Sequence, residues 1–195
     1  MTPVVLDGGP AEVAFWICLG GWLGGELAFA ARTTLRDPAT RDASFTLLTL
    51  ALVGGLGAGI WVAESVDSLS LPGAEWWPPV AGLTLFASGL GLRVWAIRVL
   101  GRFFRYTVVV DADQQVVDSG PYSRLRHPSY TGLLMAALGV GVALDNWLSI
   151  VCCLLPALIA FTLRLLSEEQ TLSERLGDPY RAYMARTHRL IPGIW

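Results

Sequence analysis

The chain is 195 residues long, 53% hydrophobic and only 15% charged, with a formal net charge of −2. Ordinary soluble domains carry roughly 25% charged residues, so the composition argues against a soluble globular protein; it leaves room for about five spans of roughly 20 residues and no separate soluble domain. The near-neutral balance offers no basic surface for nucleic acid, and every basic residue is Arg, with no Lys at all, a usage that suits a GC-rich, bacterial genome.

The N-terminal segment lacks the basic stretch of a cleaved signal peptide. Five apolar segments then follow, at residues 11–31, 44–63, 80–100, 129–144 and 147–166. The first two are rich in glycine: Gly20, Gly21, Gly24 and Gly25, then Gly54, Gly55, Gly57 and Gly59. Small residues let membrane helices approach closely; the alternative is a shallow groove for a lipid tail. Only Asp145 and Asn146 separate the last two segments, which makes them a tight antiparallel hairpin. Cys18, Cys152 and Cys153 lie inside apolar runs and show no metal or disulfide spacing. The predicted fold is all-α: a polytopic membrane bundle of about five helices, ending in a helical hairpin and an amphipathic tail helix.

Arg placement orients the bundle. Arg32, Arg36 and Arg41 follow the first span, Arg102, Arg105, Arg124 and Arg126 follow the third, and Arg175, Arg181, Arg186 and Arg189 follow the fifth. The alternate connections carry Glu64, Asp67 and Glu75 but no Arg. By the positive-inside rule the N-terminus is outside and the C-terminus cytoplasmic, in the inner (plasma) membrane of a bacterium. Trp76, Trp77 and Trp147 fall where an outer aromatic belt would lie.

Residues 103–126 are not span-like; Thr107–Val110 and Gln115–Val117 suggest a small hairpin or extended loop, and Gly120-Pro121 a turn. In the tail, Asp178 is a good N-cap and Pro179 fits the first helical position. Tyr180, Tyr183, Met184 and Thr187 then share one helical face.

Polar chemistry concentrates at two places. Gly120-Pro-Tyr-Ser-Arg-Leu-Arg-His-Pro-Ser-Tyr-Thr-Gly132 leads into the fourth span, with Pro128 suited to the first turn and His127 to the cap. Free N–H groups there would favour an anion such as a carboxylate, and Gly132 would let a ligand approach the backbone. The structural alternative is an interfacial helix start in which Arg124 and Arg126 obey the positive-inside rule. At the end of the fifth span, Arg164 and Glu168 share a face four residues apart, with Glu169 beside them; such groups are either functional or a helix-end surface pair. Glu12 and Glu26, with Arg93 and Arg98, are further ionisable groups within spans. Glu26 and Arg93 could lie at similar depth.

The ordered set Leu92-Arg-Val-Trp-Ala-Ile97, Leu100-Gly-Arg-Phe-Phe104, Gly120-Pro-Tyr122, Arg126-His-Pro-Ser-Tyr-Thr-Gly132, Glu168-Glu169, Gly177-Asp-Pro-Tyr-Arg-Ala-Tyr183 and Arg189-Leu-Ile-Pro192 resembles the isoprenylcysteine carboxyl methyltransferase family, in its prokaryotic, integral membrane form. The resemblance covers about residues 82–195. It divides the chain into an N-terminal two-span region, residues 1–79, and a methyltransferase core, residues 80–195. It implies S-adenosylmethionine as cofactor, S-adenosylhomocysteine as product, and an apolar or lipidated acceptor reached from the bilayer, with carboxyl O-methylation the leading reaction. By the same resemblance His127, Pro128, Tyr130 and Gly132 would line the cofactor site, Glu168 and Glu169 would meet the cofactor's ammonium or ribose hydroxyls, and Tyr183 and Arg189 would close the site. Arg126, Arg164 and Glu168 form the candidate catalytic set, the two Arg placed for a carboxylate. No metal is implied. A phospholipid or small-lipid N-methyltransferase and a sterol-reductase-like membrane reductase stay open as alternatives.

Overall fold

In lipid a backbone must satisfy its own hydrogen bonds, so apolar runs of this length become helices. The computed structural model describes residues 3–36, 43–104, 115–193 and 195. It contains α1 (Pro10–Arg36), α2 (Ala43–Ser65), α3 (Trp77–Leu100), α4 (Pro128–Ala143), α5 (Trp147–Leu176) and α6 (Asp178–Arg186). Among the described residues there is no strand, only the isolated bridges Ser70–Asn146 and Leu125–His188. Residues 105–114, with the first arm and the turn of the hairpin expected within 103–126, lie outside the described residues; the expected second arm, residues 115–117, forms no strand.

The five apolar segments appear as helices in the expected order. Stretches in α2, α3 and α5 are long and apolar enough to cross a membrane, whereas α4 is a shorter apolar helix. Outward-facing Leu50, Val53, Trp61, Val80, Trp95, Val151, Ile159 and Leu163 are all exposed, an apolar surface far beyond what a water-soluble monomer shows. The chain is an integral membrane protein. One boundary differs from the sequence reading: α5 continues past residue 166 to Leu176. Hydropathy falls there, but Glu, Gln, Leu and Arg are good helix formers, so the helix projects beyond its apolar part.

Glycine packs backbone against backbone between α3 and α4. A Cβ on Gly89 would stand 2.4 Å from the Gly132 carbonyl oxygen, and one on Gly139 2.5 Å from the Phe86 nitrogen. Gly82 and Gly132 are equally crowded, by the Ala143 nitrogen and the Gly89 oxygen. Gly82 and Gly89 thus oppose Gly139 and Gly132 in antiparallel register, and the two backbones nearly touch. Gly55 and Gly59 do pack, against Cys152 and Cys153 of α5, but Gly20, Gly21, Gly24, Gly25, Gly54 and Gly57 have nothing within 4 Å of a Cβ.

The α4–α5 turn is pinned rather than merely short. The Asn146 side chain accepts from the Leu148 and Ser149 nitrogens, capping α5, and donates to the Val66 carbonyl at 2.7 Å. Asp145 accepts from the Leu71 nitrogen at 3.2 Å. These bonds tie the hairpin to the α2–α3 connection. α1 joins the bundle through side chains: Trp22 meets Phe86 edge-on, centroids 5.4 Å apart, and Glu26 pairs with Arg93. Phe15, Leu19 and Trp22 share one core with Leu52, Leu56, Phe86, Leu133 and Phe161.

At the opposite end the chain's tail folds back over the start of α4. The Arg126 nitrogen donates to the His188 carbonyl at 2.7 Å, the His127 nitrogen to Arg189 at 3.1 Å, and the His188 nitrogen to Arg124 at 3.0 Å. α6 begins at Asp178, the residue expected to cap it, so the cap falls on Gly177, with Pro179 in the first turn. Its Tyr180 and Tyr183 are buried as the pattern predicts.

Candidate active site

α4 starts as its sequence requires: His127 is the cap residue and Pro128 opens the helix, where its missing N–H costs nothing. The neighbouring donors, however, are engaged. The Tyr130 and Thr131 nitrogens return to the His127 carbonyl, while those of Arg126 and His127 serve the tail. The expected cradle of free N–H groups is therefore largely filled by the chain's own carbonyls. The Thr131 hydroxyl adds a bond to the Leu190 carbonyl at 2.8 Å.

Side chains from α4, α5 and the tail converge beside this start. Glu169 is the hub. Its Oε1 accepts from Arg126 Nε at 2.6 Å and lies 3.4 Å from His127 Nε2; its Oε2 accepts from Arg189 Nε at 2.9 Å. Arg126 also donates through Nη1 to the Met184 carbonyl at 3.0 Å and to the Thr187 carbonyl. Glu169 and Arg126 are thereby a brace between helix and tail, and the Arg126 guanidinium is committed to it.

Glu168 is placed differently. Its Oε2 accepts from the Tyr130 hydroxyl at 2.8 Å and stands 3.9 Å from His127 Nδ1. The side chain retains 31% of its exposure against 5% for Glu169, and Oε1 has no partner among the described residues. Arg164, buried one turn earlier, donates from Nε to the Tyr130 hydroxyl at 3.0 Å and from Nη1 to Ser44 Oγ of α2 at 2.6 Å. Tyr130 is flanked by a parallel His127 ring and a tilted Phe161 ring. An open carboxylate, a bound phenol and a guanidinium thus adjoin an apolar helical wall.

Of the residues singled out from sequence, Arg126, His127, Tyr130, Arg164, Glu168, Glu169 and Arg189 come together, with Pro128 setting the helix start. Two do not take the expected positions. Gly132 faces α3, where the Gly89 carbonyl and Arg93 nitrogen occupy the space a ligand would need; it permits helix contact, not cofactor contact. The Tyr183 hydroxyl is committed to the Tyr122 carbonyl at 2.8 Å and the Leu125 carbonyl at 3.2 Å, so it anchors α6 from behind. Burial pushes its ionisation above the ordinary tyrosine range, which keeps it a donor. Sequence reading missed Ser44, Thr131 and Ser129. Ser129 accepts from Arg93 Nη1 at 2.6 Å while Arg93 holds both oxygens of Glu26. The similar depth of Glu26 and Arg93 was legible; the third partner, one residue from Tyr130, was not.

A helical membrane bundle that closes an ionic cluster under its own tail is the frame of an integral membrane enzyme. The model of the phospholipid methyltransferase family matches residues 77–178. Protein-S-isoprenylcysteine O-methyltransferase B of Arabidopsis thaliana is 32% identical over 138 residues, covering 69% of this chain and 68% of that protein. The protein-S-isoprenylcysteine O-methyltransferase of Schizosaccharomyces pombe is 27% identical over 205 residues, covering 92% and 87% of the two chains. Against rice and human relatives of the same description the chain spans 63% and 59% of their lengths. The solved structure of the eukaryotic intramembrane Ras methyltransferase, an isoprenylcysteine carboxyl methyltransferase, shares the fold at a TM-score of 0.61 and 22% identity, over 98% of this chain and 70% of that one. The chain is a membrane methyltransferase and belongs to the phospholipid methyltransferase family.

Proposed function

We propose that the protein transfers a methyl group from S-adenosylmethionine to the carboxylate of an apolar, lipid-like acceptor. The observation that carries this reading is the division between adjacent carboxylates: Glu169 is saturated by Arg126, His127 and Arg189, while Glu168 keeps an open oxygen next to Tyr130 and Arg164. An ammonium or ribose hydroxyl fits that oxygen. S-adenosylmethionine would supply an electrophilic methyl group on a sulfonium. Glu168 would hold the positively charged part of the cofactor, His127 and Pro128 would wall its site, and Arg189 with the tail would keep water out.

A carboxylate nucleophile needs no general base; it needs alignment and dehydration. Arg164, buried one helical turn from Glu168 and bonded to Tyr130 and Ser44, is the guanidinium we assign to the acceptor carboxylate. An amine acceptor would need a proton acceptor; Glu168 and His127, whose ring nitrogens face Glu168 and Glu169, are the groups that would serve, and the choice between carboxylate and amine acceptors separates the two readings. Arg segregation supports an N-terminus outside and a cytoplasmic site, in a bacterial plasma membrane.

The activity named for the relatives makes an S-prenylated cysteine with a free carboxylate the first acceptor to test. S-adenosylhomocysteine should raise the melting temperature of the purified protein and NADPH should not. N-acetyl-S-farnesylcysteine should then be methylated in preference to phosphatidylethanolamine. Stabilisation by NADPH alone would overturn the methyltransferase reading of the site, and methylation of the amine alone would move the assignment to lipid N-methylation.

A further inference from the structure

The side chains assigned to the cofactor and the acceptor lie on α4, α5 and the tail, and all but Arg189 fall within the residues that the family model matches. Arg164 has a partner from outside them. Its Nη1 donates at 2.6 Å to the hydroxyl oxygen of Ser44, which stands in the first turn of α2.

Helix register explains the pairing. α2 and α5 run antiparallel and touch closely at their far ends. The Ser149 hydroxyl donates to the Gly59 carbonyl at 2.7 Å, and a Cβ on Gly55 would stand 2.6 Å from the Cys152 carbonyl oxygen. Fifteen residues lead from Gly59 back to Ser44, and fifteen from Ser149 on to Arg164. Both paths cover about 22 Å at helical rise, so the two helices stay in step. The glycine contacts at one end thereby set the height at which Ser44 meets Arg164 at the other.

Tyr130 takes a second position on the same fork. Its hydroxyl accepts from Arg164 Nε at 3.0 Å and donates to Glu168 at 2.8 Å. Acceptors on two different helices hold the guanidinium in one plane. An arginine side chain carries much rotamer freedom, and one already fixed meets a carboxylate without losing it on binding. Serine is also a neutral partner. Glu169 neutralises Arg126, whereas a hydroxyl oxygen orients a guanidinium without cancelling its charge. We propose that Ser44 is a positioning residue: its hydroxyl oxygen fixes the Arg164 guanidinium to receive the acceptor carboxylate, so that α2 completes the acceptor half of the site. This rests on the carboxyl-methylation reading.

The test uses the full-length chain in lipid nanodiscs, with S-adenosylmethionine as donor and N-acetyl-S-farnesylcysteine as acceptor. Ser44→Ala should raise KM for the acceptor by roughly fivefold to tenfold, the scale of one hydrogen bond. It should leave kcat and S-adenosylhomocysteine affinity within about twofold of wild type. Ser44→Thr keeps a hydroxyl and should return KM to within about twofold. Ser149→Ala is the control: it removes a hydroxyl bond between the same two helices, far from the site, and should lower the melting temperature without moving KM. An unchanged KM in Ser44→Ala would overturn this inference alone. Equal rises of KM in Ser44→Ala and Ser149→Ala would overturn it by reducing Ser44 to helix packing. A parallel loss of S-adenosylhomocysteine affinity would overturn it by moving Ser44 to the cofactor. No turnover of this acceptor by the wild type would overturn the carboxyl reading and the inference with it.

Discussion

Removing Glu169 strands Arg126 and Arg189 beside a buried imidazole, because both carboxylate oxygens are in ionic contact. Breaking a buried pair on one side costs about 3–5 kcal/mol, so Glu169→Ala should unfold markedly earlier and free the tail to proteolysis. Glu168→Gln removes charge from a half-open group and should change unfolding by under about 1 kcal/mol, while weakening S-adenosylhomocysteine by about 1.5–3 kcal/mol. Calorimetry and thermal denaturation on the two variants separate the roles; an equal loss of stability in both would defeat the distinction. The sequence brings both residues forward but cannot rank them. Neighbours on a helix point about 100° apart, and which one is saturated depends on Arg189, which returns from the tail to meet it. The same limit explains Gly132. A small residue invites close approach, and only the position of α3 tells whether a ligand or a helix approaches.

At the scale of elements, helix order, the hairpin and the tail helix were legible because hydropathy and turn chemistry are local. The α3–α4 contact was not read, although its signal was present: Gly82 and Gly89, and Gly132 and Gly139, each stand seven residues apart. The richer glycine clusters of the first two segments drew the reading instead; Gly55 and Gly59 there do pack on α5, and the other six face open space. The consequence is measurable. Gly89→Leu would drive a side chain into the α4 backbone and should destabilise by about 3 kcal/mol or more. Gly54→Leu and Gly57→Leu point outward and should stay within about 0.5 kcal/mol of wild type. Denaturation in detergent checks both; comparable losses at Gly54 and Gly89 would contradict the packing described here.

For the whole molecule, the alternation of Arg-rich and Arg-free connections implies that reporters fused after Gly73 and after Trp195 should fall on opposite sides of the membrane. The same side for both would break the five-helix topology. The last expectation concerns how the acceptor arrives. A narrow, open cleft lies between α1, α3 and α4, lined by Cys18, Leu19, Leu83, Phe86, Val140 and Ala143. Val140 is ten residues along α4 from Tyr130, roughly 15 Å at helical rise, and Trp22 packs edge-on against Phe86 of the lining. An acceptor whose carboxylate reaches Arg164 would have a tail directed along these helices, and each further buried CH₂ would contribute about 0.8 kcal/mol. kcat/KM should therefore climb with acceptor chain length by roughly fourfold per carbon until the tail fills this cleft. Cys18→Trp, at an exposed position of the cavity wall, should lower turnover of the longest acceptors and spare short ones. Short, water-soluble acceptors turned over as fast as long apolar ones would refute lateral access from the bilayer.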